Sequence, residues 1–337
     1  MASASSEGFF ERLVREDRFV ESRSKALTIR RFPMSEPRND APDSLSPFQR
    51  AQMENYHQEA RDAERAEQYS LAVELLERAL KLDPRDYRCR VQLASLSNQL
   101  GNLPRALAIY KELLPDVKDD SMLFNNLGAV YFDLGALTKA VGYFQESIRC
   151  NPSNDLPHAN LTYLYSLLGE MDAAWTHSLA LRQLIPHNRY GPFAKVAQFR
   201  AMILNGHQEE ALSLLANSTV EDKQNLLFNL QRLIFARELG IADEIPDIIT
   251  RNLHRAKEAL HKGYAPHKTY YRMAVYQLAG GMRGPAMQSA KSAIIEGPYK
   301  GIVRFAGLFY LEQLGIPPSD KLYQLWNRHE KSLPIPD

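Results

Sequence analysis

Two cysteines in 337 residues leave no disulfide framework, and without several histidines beside them they cannot fill a cysteine-based zinc site. Long apolar runs are missing too: nothing approaches the roughly 18–20 consecutive apolar residues a membrane span requires. No stretch alternates apolar and polar residues as a half-buried strand does, so no glycine-rich loop follows a strand to cradle a phosphate. Excess charge is also absent. Lys plus Arg number 41 against 40 Asp plus Glu, and no global field draws the chain to nucleic acid or anionic lipid. The opening residues, MASASSEGFFERLVRED, hold no apolar stretch of signal-peptide length before charges interrupt it. These gaps argue against export and membrane anchoring and lead to the expectation of a cytoplasmic protein in reducing surroundings. What is present is 45% hydrophobic content, ample for a core across roughly two average domains or one elongated one.

A period of 34 residues organises the chain. Segments starting at Met53, Tyr87, Ser121 and Asp155 align without gaps. Position 8 carries Ala60, Ala94, Gly128 and Thr162, and position 20 carries Ala72, Ala106, Ala140 and Ala174. Leu76, Tyr110, Phe144 and Ser178 occupy position 24, while Gly101, Gly135 and Gly169 occupy position 15. Position 32 holds Pro84, Pro152 and Pro186; the second repeat has Lys118 there and its proline three residues earlier, at Pro115. This spacing describes two short amphipathic helices per unit. Glycine at the turn accepts the positive φ that ends the first helix, small residues let the two helices approach, and the large residue fills the space between them. Proline stops the second helix. Neither helix buries its apolar stripe alone, so the units must stack.

The period, with Phe124, Leu127, Gly128, Tyr131, Gly135, Ala140, Phe144 and Pro152 in the clearest unit, resembles the tetratricopeptide repeat (TPR) family. The resemblance covers residues 53–186 and returns at 267–300 through Tyr270, Ala274, Gly281, Ala286, Ala290, Ala293 and Pro298. A further unit starts at Gly301, with Leu308, Leu311 and Gly315 in register. The family implies an all-α fold, a right-handed TPR solenoid of about seven to eight helix-turn-helix repeats. Four regular repeats are expected over residues 51–186, divergent helical repeats over 187–266, and two TPR-like repeats over 267–337. The last ends in a capping helix, SDKLYQLWNRHEK, with Ser319 as its expected N-cap.

Residues 1–50 read differently. Pro33, Pro37, Pro42 and Pro47 recur among Ser, Asp and Asn, the composition of an extended, flexible N-terminal arm. Apolar residues at 9, 10, 13 and 14 share a helical face, so the start of the arm reads either as disordered tail or as a short helix that docks on a partner or on the chain's own groove.

No motif supplies positioned acids, bases or nucleophiles, so no catalytic residue, cofactor or metal is expected. GGMRG at 280–284 falls at a helix–helix turn, and His254, His261 and His267 lack HExxH-type spacing. Binding is the better subject. By the resemblance, the first helix of each repeat lines a concave face. Position 6 there carries Gln58, Gln92, Asn126 and Asn160, followed later by Gln231, with Asn125 beside them. A side-chain amide both donates and accepts, so such a ladder either holds an extended peptide backbone or ties adjacent repeats together. The family's clamp for C-terminal carboxylates is disfavoured: His57, Arg61 and Gln92 stand at its first positions, but Asn125 and Ala129 replace the basic residues of its third repeat.

Charge is uneven along the chain. Residues 251–300 hold nine Lys or Arg against two Asp or Glu, and Lys268, Tyr271 and Arg272 are expected to make the groove there cationic and aromatic. Either these cations pack against neighbouring helices, or they select an acidic partner. The function expected is a non-catalytic protein–protein interaction module (adaptor, scaffold or co-chaperone-like factor) that holds an extended or helical segment of acidic character in its groove. Two alternatives are a nucleic-acid-associated adaptor using the basic 251–300 segment, and a regulator autoinhibited by its N-terminal arm.

Overall fold

A computed structural model of the chain describes residues 45–117, 119–185, 191–238, 243, 245–297 and 302–327. The arm expected over residues 1–50 lies outside them as far as residue 44, as do Pro186, Pro298, Gly301 and the last ten residues. Described residues form an all-α solenoid. Its first half contains α1 (Pro47–Arg65), α2 (Tyr69–Leu82), α3 (Tyr87–Gln99), α4 (Leu103–Leu113), α5 (Ser121–Leu134), α6 (Leu137–Cys150), α7 (Asp155–Leu168) and α8 (Met171–Leu184). There follow α9 (Pro192–Leu204), α10 (Gln208–Ala216), the short α11 (Val220–Gln224), α12 (Leu226–Glu238) and α13 (Ile245–His261). The chain then runs through α14 (Pro266–Ala279), α15 (Arg283–Glu296), α16 (Ile302–Gln313) and α17 (Lys321–Asn327). Eight helix pairs result, with α11 in the spacer of the divergent stretch. Among the described residues no helix is long and apolar enough to cross a membrane.

Local chemistry explains the boundaries. Pro47 belongs to a helix, not to the arm: Ser46 accepts from the Gln49 amide while its own N–H donates to Gln49 Oε1 at 2.9 Å, a reciprocal cap that starts α1. The side chains of Asp86, Asn102, Asp120 and Asn154 cap α3, α4, α5 and α7. At the last helix Asp320, not Ser319, accepts from the Leu322 amide, because a carboxylate one residue closer reaches the first free N–H. Position 15 takes a left-handed conformation in every regular repeat: Gly101, Gly135 and Gly169 have φ of +84°, +82° and +74°. In the first repeat the slot belongs to Glu67, at φ +57°, which costs about 1–2 kcal/mol in a residue with a Cβ.

Packing follows the period. The alanines at positions 8 and 20 are fully buried, and so are Leu76 and Phe144 at position 24. A Cβ added to Gly128 would stand 2.7 Å from the Phe144 ring, so glycine there is a condition of the ring's seat. In the fourth repeat Ser178 replaces the large residue. It donates to Gln198 Oε1 and its carbonyl accepts from Gln198 Nε2, both at 2.8 Å, so a hydrogen-bonded pair stands in for apolar bulk.

The solenoid closes on itself. The loop between α13 and α14 returns to the turn edge of the first three repeats. Lys262 pairs with Glu67, the Tyr264 ring lies 5.5 Å from Tyr69, and the Ala265 amide donates to the Gln99 carbonyl at 2.8 Å. His267 is buried against the Gly101 turn, and Lys268 Nζ lies 2.6 Å from Asp133 Oδ2. Behind this seam α16 packs against α5 and α7, and one hydrophobic cluster runs from Ala94 to Trp326.

Candidate functional site

An open part of the inner wall lies on α1, α3 and α5. A cleft of about 730 Å³ is lined by His57, Arg61, Glu64 and Arg65 of α1, by Tyr87, Arg88, Val91, Gln92 and Ser95 of α3, and by Asp120, Met122 and Asn126 at α5. These first helices of successive pairs stand side by side because α3 packs on α2 and α5 on α4. Every third or fourth residue of each therefore faces the same side.

Charges of both signs meet in this cleft. Arg88 donates to Glu54 Oε2 at 2.6 Å and holds that carboxyl below the usual carboxylate range, while Arg61 lies 3.8 Å from the same residue. Glu64 accepts from Gln92 Nε2 at 2.9 Å and from Gln99 Nε2 at 3.4 Å. Tyr87 donates its hydroxyl to Asp120, whose other oxygen caps α5, and burial followed by this bond raises the phenol's pKa. His57 is 5% exposed; burial, then the positive charges of Arg61 and Arg88, push its pKa down. The apolar floor is Val91 and the exposed Met122. Together these groups offer cationic edges, one amide-bound carboxylate and a thioether.

The expected amide ladder divides in two. Gln92 and Asn126 line the cleft, and Gln58 stands exposed on α1, bridging Asp62 and Arg61. Farther along, Asn160 Nδ2 donates to Asn125 Oδ1 at 2.9 Å and Asn125 Nδ2 reaches Asn126 Oδ1 at 3.4 Å, joining the third and fourth repeats. Gln231 is buried, its Oε1 at 3.5 Å from the Tyr310 hydroxyl.

The cationic, aromatic groove expected at Lys268, Tyr271 and Arg272 is corrected by the closure. Lys268 is tied to Asp133, Tyr271 is fully buried, and Arg272 is half-buried beside the Tyr271 hydroxyl. Folding back puts the inner face of α14 against earlier helices. Other cations of residues 251–300 are held within the molecule as well: Arg251 by Asp247, Arg255 by the Lys223 carbonyl, Lys262 by Glu67 and Arg283 by Asp320. The sequence missed Arg65, Arg88, Val91, Ser95 and Met122 as cleft residues; positions 2, 5, 9 and 13 of the repeat, inward on the first helices of the resembled family, were the signal for Arg88 and Met122, Val91, Ser95 and Arg65.

Buried histidines give the fold a pH dependence. His158 and His177 face each other with their Nδ1 atoms 3.1 Å apart. Burial, then the neighbouring His158, pushes His177 down to about 4, and burial followed by Lys268 and Arg272 pushes His267 down to about 3. An unfolded histidine titrates near 6.5, so between roughly pH 6.5 and 4 the unfolded chain binds more protons than the folded one. Stability present above that window is expected to fall steadily as pH drops through it, and His177→Gln to flatten the slope. Melting curves at half-unit pH steps check this; parallel slopes in the two proteins would refute it.

Residues 63–127 match the model of the tetratricopeptide repeat family. Among solved structures, the chain is similar to TTC0263, a thermophilic TPR protein of Thermus thermophilus, at 24% identity over 53% of this chain and 96% of that one, with a TM-score of 0.46. It is likewise similar to a tetratricopeptide repeat protein from Parabacteroides merdae, at 16% identity over 77% of this chain and 99% of that one, with a TM-score of 0.45. A comparison with curated proteins finds no match. The matched segment and the eight stacked helix pairs define a tetratricopeptide repeat solenoid.

Proposed function

We propose that this chain is a protein-interaction scaffold that grips a partner polypeptide in the cleft on α1, α3 and α5. The observation that carries the reading is the cleft itself: three first helices leave a hollow of about 730 Å³, while α16 packs over α5 and α7 farther along. The partner segment best suited to it is extended and acidic. Its carboxylates meet Arg61, Arg65 and Arg88, an apolar side chain rests on Val91 and Met122, and its backbone pairs with Gln92 and Asn126. Such a role needs no reacting group. The basic 251–300 segment supports nucleic-acid binding less well, since Lys262, Lys268 and Arg283 pair with carboxylates inside the chain.

The test compares partners captured by the full chain, by Arg61→Glu/Arg88→Glu, and by Arg78→Glu, which does not line the cleft. Proteins retained by wild type and by the Arg78 variant but reduced about tenfold with the double reversal are the expected result, a loss of about 1.4 kcal/mol. Melting temperature should hardly change, because both arginines sit in solvent-exposed pairs. Equal capture by all three proteins would refute the reading.

A further inference from the structure

The cleft on α1, α3 and α5 combines an apolar floor with cationic edges. Val91 and the exposed Met122 line it together with Arg61, Arg65 and Arg88. Leu156 holds the Met122 position of the next repeat and is exposed as well, so the apolar strip continues onto α7. All three arginine side chains are open to solvent, between 39% and 74% exposed. Their partners, Glu54 and Asp62, are more than half exposed, and pairs of that kind contribute little. A carboxylate arriving from elsewhere can replace them.

One segment of the chain carries the complement of this pattern. On a helical wheel, residues 7–17 (EGFFERLVRED) set Phe9, Phe10, Leu13 and Val14 within one arc of about 140°. Glu7 and Glu11 border that arc on one side and Glu16 on the other, while Arg12 and Arg15 fall on the opposite face. Asp17 adds a fourth carboxylate in line with the arc. An apolar centre between acidic borders answers an apolar floor between cationic edges. The segment lies outside the described residues, and its register is that of the sequence.

Chain length permits the meeting. The 27 residues 18–44 join the segment to Leu45, next to the Ser46 cap of α1. A connection of that length averages roughly 30 Å end to end. Along α1 the distance from Ser46 to Arg61 is about 22 Å, at 1.5 Å per residue. Connection and span therefore match, the condition that gives a tethered ligand its highest local concentration.

We propose that residues 7–17 occupy the cleft of their own chain as a short helix and that a partner must displace them. The inference rests on the reading of the cleft as a grip for polypeptide, and it names the regulator of that grip. Phe10 and Leu13 rest on Val91 and Met122, and Glu7 and Glu11 face Arg61 and Arg88. With the segment docked nine-tenths of the time, a partner's apparent affinity falls about tenfold.

Amide hydrogen exchange of the full chain tests this in four proteins. They are wild type, Phe10→Asp/Leu13→Asp, Arg61→Glu/Arg88→Glu, and the last combined with Glu7→Arg/Glu11→Arg. The first variant alters no described residue, so every contact of the solenoid stays in place. Exchange over residues 7–17 is expected to be slowed about tenfold in wild type, at every protein concentration. That protection should vanish in both double variants and return when the arm charges are reversed as well. Unprotected residues 7–17 in wild type, protection that survives Arg61→Glu/Arg88→Glu, or a loss that the arm reversal does not restore would overturn the proposal. So would protection that fades on dilution, which assigns the segment to a second copy. Partner capture by the same proteins separates this inference from the scaffold reading. A partner captured about tenfold better by Phe10→Asp/Leu13→Asp than by wild type supports both. Equal capture by those two proteins overturns the displacement. Protection with no partner captured leaves the docked segment and refutes the scaffold, and capture without protection does the reverse.

Discussion

Lys195→Ala is expected to destabilise the protein by about 3–5 kcal/mol. Lys195 on α9 and Asp222 on α11 form an ion pair at 3% and 1% exposure. Asp222 Oδ2 also accepts from the Thr219 amide at 2.6 Å and the Thr219 hydroxyl at 2.9 Å, so one carboxylate both caps the short helix and anchors it to α9. Removing the ammonium leaves that carboxylate buried without its counter-charge, and desolvation then dominates. Replacing both partners together, Lys195→Met with Asp222→Asn, should cost less than the single change, because no lone charge is stranded. Urea unfolding curves give the comparison. A single-variant loss under about 1 kcal/mol would mean that the pair behaves as a surface bridge.

Phe144→Ala should cost a similar amount, about 3–5 kcal/mol. Phe144 is fully buried between α5 and α6, and its ring fills the place a Cβ on Gly128 would take. The pair makes a sharper test together. Gly128→Leu alone overpacks the site and should cost about 1–3 kcal/mol or more. Combined with Phe144→Ala, the leucine occupies the emptied volume, so the double variant should be more stable than the sum of the two losses predicts. Strict additivity in denaturant melts would show that the two positions do not share one space.

These two sites also show what the amino-acid order makes legible. Gly128 and Phe144 sit at fixed offsets in a repeated unit, so their contact is local and recurs with the period. The turn glycines are legible for the same reason, and Glu67 stands out only because three glycines occupy its place in later units. Lys268 is different. Its partner is Asp133, 135 residues away, and nothing in a local pattern says which distant helix will cover a given face. The repeat sets the pitch of each step but not the point at which accumulated curvature brings the chain back upon itself. That point depends on the divergent stretch around α11–α13, where the period is weakest. The cleft was only half legible: its inward positions follow from the repeat, whereas its limits follow from where the closure ends.

A stacked-repeat protein is ordinarily a one-dimensional array, each unit held only by its neighbours, so its termini fray first and unfolding spreads inward. The seam from Lys262 to Lys268, with the Ala265 amide on the Gln99 carbonyl, Tyr264 beside Tyr69 and Lys268 on the buried Asp133, opposes that freedom. Terminal units gain support from mid-chain ones, and the melting transition should sharpen toward a single cooperative event. Folding gains a late step for the same reason, since so long a loop must be gathered before the seam rewards it.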